Sequence, residues 1–227
     1  MPRLGTRKLY YLLADDLQSL PKTVGRDKLF AILRKHRYLI LRKKSFVKTT
    51  NSAHRYKTYK NLIKNVPIIN PDQVWVSDIT YIRTEKGFVY LYILTDLYSR
   101  KIVGYNLTKK LSSQGTLKAL EMAVLNTPYC KNVIHHSDRG AQYACKDYTT
   151  ELNRLGFSIS MTEEDHVYEN SVAERINGIL KDEFYLDRRF PSFETAISAS
   201  FEAIKIYNSI RPHLSLKVHT PDQLYAA

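Results

Sequence analysis

The chain has 227 residues, 44% of them hydrophobic and 25% charged, which excludes wholesale disorder, a collagen-like chain and a coiled coil alone. No run approaches the roughly 18 apolar residues of a membrane span, and Met1 to Thr6 carry no apolar signal segment. The net charge of +13 is uneven: residues 1–70 hold 17 Lys/Arg against 3 Asp/Glu, and residues 71–227 hold 18 against 19. A basic module beside a neutral one calls for a polyanionic partner. Nucleic acid fits better than an anionic membrane, because no amphipathic helix pairs this charge with a Trp/Phe-rich face. Cys130 and Cys145 make neither a disulfide framework nor a zinc site, so two reduced thiols in a cytoplasmic protein are expected.

Leu9, Leu13, Leu17 and Leu20 form one stripe that predicts a helix over residues 6–20, ended by Pro21. A second helix is expected over 26–36, with Leu29, Phe30, Ile32 and Leu33 as its apolar positions. The basic segment 41–48 follows, with Arg42, Lys43, Lys44 and Lys48, and with Phe46 and Val47 to dock it. Three short helices, the last one cationic, suit a small all-α helix-turn-helix module over 1–48. The competing reading is a basic solvated helix that binds nothing specific. Residues 49–73 read as a basic linker, in which Arg55, Lys57, Lys60 and Lys64 alternate with Tyr56 and Tyr59. That spacing suits a segment lying along a phosphate backbone, or a soluble tether.

The period changes at Val74. Strands are expected over 74–82, 88–97 and 101–107, joined by connections short enough to require an antiparallel meander. A helix over 112–126, a strand over 132–136, a helix over 146–155 and a strand over 157–161 follow, then helices over 170–184 and 193–209. This order predicts an α/β core over 74–227, a mixed five-stranded sheet flanked by helices.

Three carboxylates stand out. Asp78 interrupts a strand of apolar and aromatic residues, where a charge is costly unless paired or bound to a metal. Asp138 follows the strand ending at His136, and ligand sites in α/β sheets gather at strand C-termini. Glu174 lies on the helix that begins near Asn170. Each has a plain structural alternative: an Arg partner for Asp78, a turn cap for Asp138, surface charge for Glu174.

Their spacing and surroundings carry more. Fifty-nine residues separate Asp78 from Asp138, and 35 separate Asp138 from Glu174. The runs around Trp75–Ile82, Asp96–Gly104, His135–Tyr143, Glu169–Arg175 with Leu180–Glu183, and Tyr207–His213 with Thr220-Pro221 occur in this order. Together they resemble the DDE transposase and retroviral-integrase catalytic core, in particular the transposases of bacterial insertion sequences. The resemblance implies a ribonuclease H-like core, double-stranded DNA as substrate, and Asp78, Asp138 and Glu174 as ligands of two Mg²⁺ ions, with Mn²⁺ as a substitute. It also implies a homo-oligomer on DNA. Asn170, Arg175, Asn177 and Lys181 fall within two turns of Glu174 and are expected to reach DNA beside the metals. His135, His136 and Gln142 read as packing or supporting groups rather than ligands. Arg211 and His213 are expected to tie down the C-terminal segment.

Two features depart from the family. Residues 163–167 lack the glycine and proline often seen in relatives, and the chain starts close to the helix-turn-helix. Relatives often gain a further segment from an upstream reading frame, so the upstream-frame protein of the same element is a candidate partner. Three functions are compatible with these features: a transposase that cuts and joins element ends, a DNA-binding regulator without catalysis, or a metal-dependent nuclease without strand transfer.

The basic third carries a measurable expectation. Each phosphate neutralised contributes roughly −0.9 to the slope of log affinity against log salt. Changing Arg42, Lys43 and Lys44 to Ala is expected to flatten that slope by up to about three units. An unchanged slope in a salt titration of DNA binding places this segment away from the backbone.

Overall fold

A computed structural model describes residues 1–40, 56–127, 130–163 and 170–227. The expected cationic helix over 41–48, with Arg42, Lys43, Lys44 and Lys48, lies outside the described residues, as does Arg55. The N-terminal part forms helices α1 (Thr6–Leu12), α2 (Ala14–Gln18) and α3 (Arg26–Lys35). The single helix expected over 6–20 is thus two, broken at Leu13, whose backbone leaves the helical region (φ −96°, ψ 11°). The break puts Asp15 and Asp16 in the first turn of α2, where the helix dipole favours negative charge.

The sheet is built from β1 (Val74–Thr84), β2 (Gly87–Asp96), β3 (Ile102–Thr108), β4 (Ile134–Ser137), β5 (Ser158–Met161) and β6 (Arg189–Phe190). The main order is β3-β2-β1-β4-β5, with β6 paired to the far end of β1. β1, β2 and β3 form the antiparallel meander, turning at Gly87 with φ +110°. β4 and β5 then add in parallel. Five strands match the expected sheet. The two-residue β6 had no sequence signal, since so short a strand shows no alternation.

Helices α4 (Ser113–Asn126), α5 (Ala141–Ala144), α6 (Lys146–Arg154), α7 (Ser171–Glu183), α8 (Phe193–Ser209) and α9 (Pro221–Tyr225) complete the chain. Neighbouring positions on β2 feed opposite layers. Tyr92 and Leu94 join Trp75, Leu120, Tyr148, Leu152 and Met161 under α4–α6. Leu91 and Ile93 join Ile82, Ile179, Leu180, Ile204 and Tyr207 under α7 and α8. Both faces of the sheet are therefore covered, as a buried central strand requires.

Two segments outside the sheet are attached to the core. The described part of the linker runs along β5: Leu62 N–H donates to Ser160 Oγ at 2.8 Å, and Ile63 and Ile68 pack against Val74 and Val76. At the far end of α7, Glu183 accepts a two-pronged bond from Arg211 (Nε 2.8 Å, Nη2 2.9 Å) and pairs with Lys8. Arg3 reaches Asp187 nearby at 3.2 Å. Burial would raise the Glu183 carboxyl, but the two cations outweigh it and hold it below its ordinary range. Arg211 and the His213 ring, edge-on to Tyr207, do tie down the C-terminal segment.

α4 meets the sheet through two glycines. A Cβ at Gly104 would lie 2.2 Å from the Ala119 carbonyl, and one at Gly115 would lie 2.3 Å from the Tyr92 ring. A Cβ at Gly178, on α7, meets nothing within 4 Å. Gly104→Ala and Gly115→Ala are expected to destabilise by about 1–3 kcal/mol or more through overpacking. Gly178→Ala is expected to stabilise by about 0.5–1 kcal/mol through helix propensity. Urea unfolding of the three variants checks both signs.

Candidate active site

The site forms where the sheet changes partners. β1 pairs with β4 over Val74–Val76, opposite Ile134–His136. Two residues further along each chain lie Asp78 and Asp138. β4 ends at Ser137, and β1 next meets a strand on that side at Arg83 and Thr84, beside β6. Asp78 therefore sits in the middle of a long strand, at the edge of a gap in the sheet. α7 packs over β1 here and carries Glu174 in its first turn.

Each carboxylate is held differently. Asp78 is half-buried, and its oxygens accept from Asn177 Nδ2 at 2.7 Å and from the Ile79 N–H at 2.9 Å. Asp138 Oδ1 accepts the Gly140 N–H at 2.9 Å, so it does cap the turn after β4. That bond and a site role are compatible, because the carboxylate keeps other lone pairs. A Cβ on Gly140 would lie 2.9 Å from the same oxygen, which explains a glycine there. Glu174 is exposed.

The three charges feel one another. The Asp78 carboxyl is pushed up to about 7, first by burial, then by Asp138 and Glu174, against the two hydrogen bonds that favour its charged form. Glu174 is raised by partial burial and by Asp138. The Tyr143 hydroxyl, which accepts from Ser77 Oγ at 3.0 Å, is pushed well up by burial and by the same two aspartates, so it stays protonated. Among the described residues, no group of three His, Cys, Asp or Glu side chains stands close enough to hold a metal ion.

The neighbours expected to face DNA divide. Lys57 and Lys60 are exposed, and Lys60 shares a cleft with Tyr59, Arg139 and Glu163. Arg175 is exposed beside Glu174. Lys181 lies with its ammonium 4.2 Å over the Tyr81 ring, its pKa lowered by burial against the pull of Asp78. Asn170 and Asn177 are not on the outer surface: both are 6% exposed and turned onto β1. Asn177 bonds Asp78, and Asn170 Nδ2 donates to the Ser77 carbonyl at 3.1 Å. Their spacing of seven along α7 put them on one face, but not on which side of the helix β1 lies. His135 and His136 are buried and bonded to Tyr148 and Ser160, which suits packing groups. Burial pushes the His135 imidazole down to about 3, so it is neutral. Residues 164–169, including most of the loop expected to depart from relatives, lie outside the described residues. Asp96, a fourth carboxylate in a matching run, is buried and occupied by the Ser99 and Asp72 N–H groups, which makes it an anchor of the β2–β3 turn.

The Asp78 shift has a definite sign. The folded state holds this proton more tightly than a carboxyl of ordinary pKa 3.8 in the unfolded chain. Its contribution to stability is full below about pH 4 and is lost as pH rises towards 7. In the presence of chelator, Asp78→Asn is therefore expected to gain melting temperature relative to wild type as pH rises from 5 to 8. A pH-independent difference in thermal melts refutes the shift.

Comparisons with known proteins agree on a family. Residues 70–166 match the integrase core domain family, and residues 155–221 match a second integrase core domain family. The chain is 36% identical over 214 residues to the insertion element IS600 uncharacterized 31 kDa protein of Shigella sonnei, covering 93% of this chain and 77% of the relative. It is 30% identical over 213 residues to the transposase InsF for insertion sequence IS3A of Escherichia coli (strain K12), covering 93% and 74%. Among solved structures, the HTLV-2 integrase catalytic core domain in complex with magnesium superimposes with a TM-score of 0.55 at 19% identity, over 69% of this chain and 98% of that one. The simian T-cell lymphotropic virus intasome with PP2A regulatory subunit B56 gamma gives 0.59 at 18% identity, over 98% and 75%. At these identities the likeness is one of fold: the sheet described above is that of the ribonuclease H-like integrase cores.

Proposed function

This chain belongs to the insertion-sequence transposases that carry an integrase-type core, and on that premise we propose that it cuts DNA at the ends of its element and joins the freed 3′-hydroxyl to a target phosphodiester. Asp78, Asp138 and Glu174 are the catalytic residues in this reading. The observation that carries it is the placement of Asp78, Asp138 and Glu174 around one gap beside β1, where burial first, and then the field of Asp138 and Glu174, lift the Asp78 carboxyl to about 7. Repulsion and burial that two hydrogen bonds do not offset are stability given up locally, and such sites favour function.

The donor set suits hard cations, since it offers carboxylate oxygens and no thiolate. Asp78 on β1, Asp138 just past the end of β4 and exposed Glu174 on α7 would hold the metal. Two Mg²⁺ ions bound there would supply charge neutralisation and an activated oxygen nucleophile. Asn177 keeps one Asp78 oxygen oriented. Exposed Arg175, Lys57 and Lys60 suit phosphate contacts on either side, and Lys181 adds positive potential near Asp78. In the first step, water bonds to phosphorus and the DNA 3′-oxygen leaves. In the second, that 3′-hydroxyl is the nucleophile and another 3′-oxygen leaves. The same groups serve both steps because only the nucleophile differs.

The division into a DNA-binding module over 1–48, a linker over 49–73 and a core over 74–227 belongs to the same proposal. So do a homo-oligomer on DNA, an upstream-frame partner and action in the bacterial cytoplasm. No helix among the described residues is long and apolar enough to cross a membrane.

A Mg²⁺-dependent assay on labelled element ends tests the reading. Joined product supports the transposase, binding alone a regulator, and nicks alone a nuclease. Replacing Asp78, Asp138 or Glu174 by its amide is expected to abolish cutting and joining while DNA binding persists; substantial joining by any one variant overturns its assignment. Asp138→Asn keeps the oxygen that accepts from Gly140 and removes one charge. In chelator it is expected to melt at or above wild type, and to gain less from Mg²⁺ or Mn²⁺. A lower melting point with the full metal gain removes Asp138 from the metal site.

A further inference from the structure

The helix that carries Glu174 is strapped to the strand that carries Asp78 by a side chain that gives up a local role. β1 pairs with β4 only as far as Val76, so Ser77 is the first residue at the gap. Its carbonyl accepts Asn170 Nδ2 at 3.1 Å. Asn170 is the N-cap residue of α7, yet its side chain makes no capping bond. Asparagine is among the best N-caps, and this one turns its amide away from the helix onto the strand. Only the amide nitrogen can donate to a carbonyl, so the orientation is set by chemistry. The cost is visible: Oδ1 is buried without a partner among the described residues. The backbone of Asn170 continues the connection, because its carbonyl accepts the Glu174 N–H at 3.1 Å. Two hydrogen bonds thus link the residue before Asp78 to the backbone of Glu174.

We propose that Asn170 is a positioning residue, whose strap to Ser77 sets the register of α7 on β1 and so brings Glu174 to the two aspartates. It stands in for the strand partner that β1 loses where β4 ends, and it does so one helical turn before Glu174. Asn177 bonds the Asp78 carboxylate itself two turns further along α7, and near the helix start Ala173 and Val172 only pack against Val74 and Val76, so the directional bond of Asn170 is not redundant. The inference rests on the three carboxylates acting together on a metal.

The test uses the full chain and two variants. Asn170→Ser keeps a good N-cap oxygen but is too short to reach β1. Asn170→Leu fills a similar volume without a donor, so that a folding failure of one variant leaves the other to decide. Melting temperature is measured in chelator and with Mn²⁺, and end joining is measured against Mn²⁺ concentration. The expected result is a metal-induced rise in melting temperature cut by half or more, and a metal requirement for half-maximal joining raised about tenfold, with DNA affinity unchanged. A variant that melts lower in chelator yet keeps the full metal response shows a purely structural asparagine and overturns the proposal. A wild type that neither joins ends nor responds to metal overturns the transposase reading instead.

Discussion

A carboxylate in the central strand of a sheet covered on both faces is the constraint on which the rest of this molecule turns. β1 must be apolar enough to form the core, and it contributes Val74, Trp75, Val76 and Ile82, all nearly inaccessible. It must also carry Asp78, which burial drives towards its neutral form. The fold reconciles the two by ending β4 at Ser137, so that Asp78 lies beside a gap rather than inside a complete sheet. The asparagines of α7 then take up polar groups at that gap, Asn170 the Ser77 carbonyl and Asn177 the Asp78 carboxylate.

α7 is held at both ends. Near its start it meets β1 through Asn170. At its far end Glu183 gathers Lys8 from the N-terminal part and Arg211 from the C-terminal segment. Buried ion pairs are a poor source of net stability, since desolvation offsets most of the attraction. Their effect here is geometric: a carboxylate with two cations from distant parts of the chain fixes where those parts sit on the catalytic helix. Residues 1–8 and 211–213 are thereby coupled to the element that carries Glu174.

Much of this was legible in the sequence, and the exceptions share a cause. β1, β2 and β3, the helices α3, α4, α6, α7 and α8, and the parallel strands β4 and β5 follow from alternation, helical period and turn residues within a window of ten or so positions. β6, α5 and α9 are two to five residues long and show no period of their own. The break at Leu13 was hidden by a leucine stripe that continues through it, while the paired acids Asp15 and Asp16 favoured a new helix start. Lys57 and Lys60 read as part of a linker, whereas the segment that holds Lys60 to Ile68 follows β5 and the start of β1, because the Leu62 N–H bonds Ser160 and Ile63 and Ile68 pack against Val74 and Val76.

By itself the sequence determined the fold class, the family and which carboxylates to examine, because those depend on local periodicity and on motifs in fixed order. It could not show how Asp78 and Asp96, two aspartates in the same meander, are held, one open to a gap and one saturated by the N–H groups of a turn. Nor could it tell that Asn170 and Asn177 face β1 while Arg175 faces solvent. Those distinctions were decided only in the tertiary structure. Burial, the donors within reach of a carboxylate and the field of its neighbours are properties of segments distant in sequence, and they exist only after the sheet has closed around them.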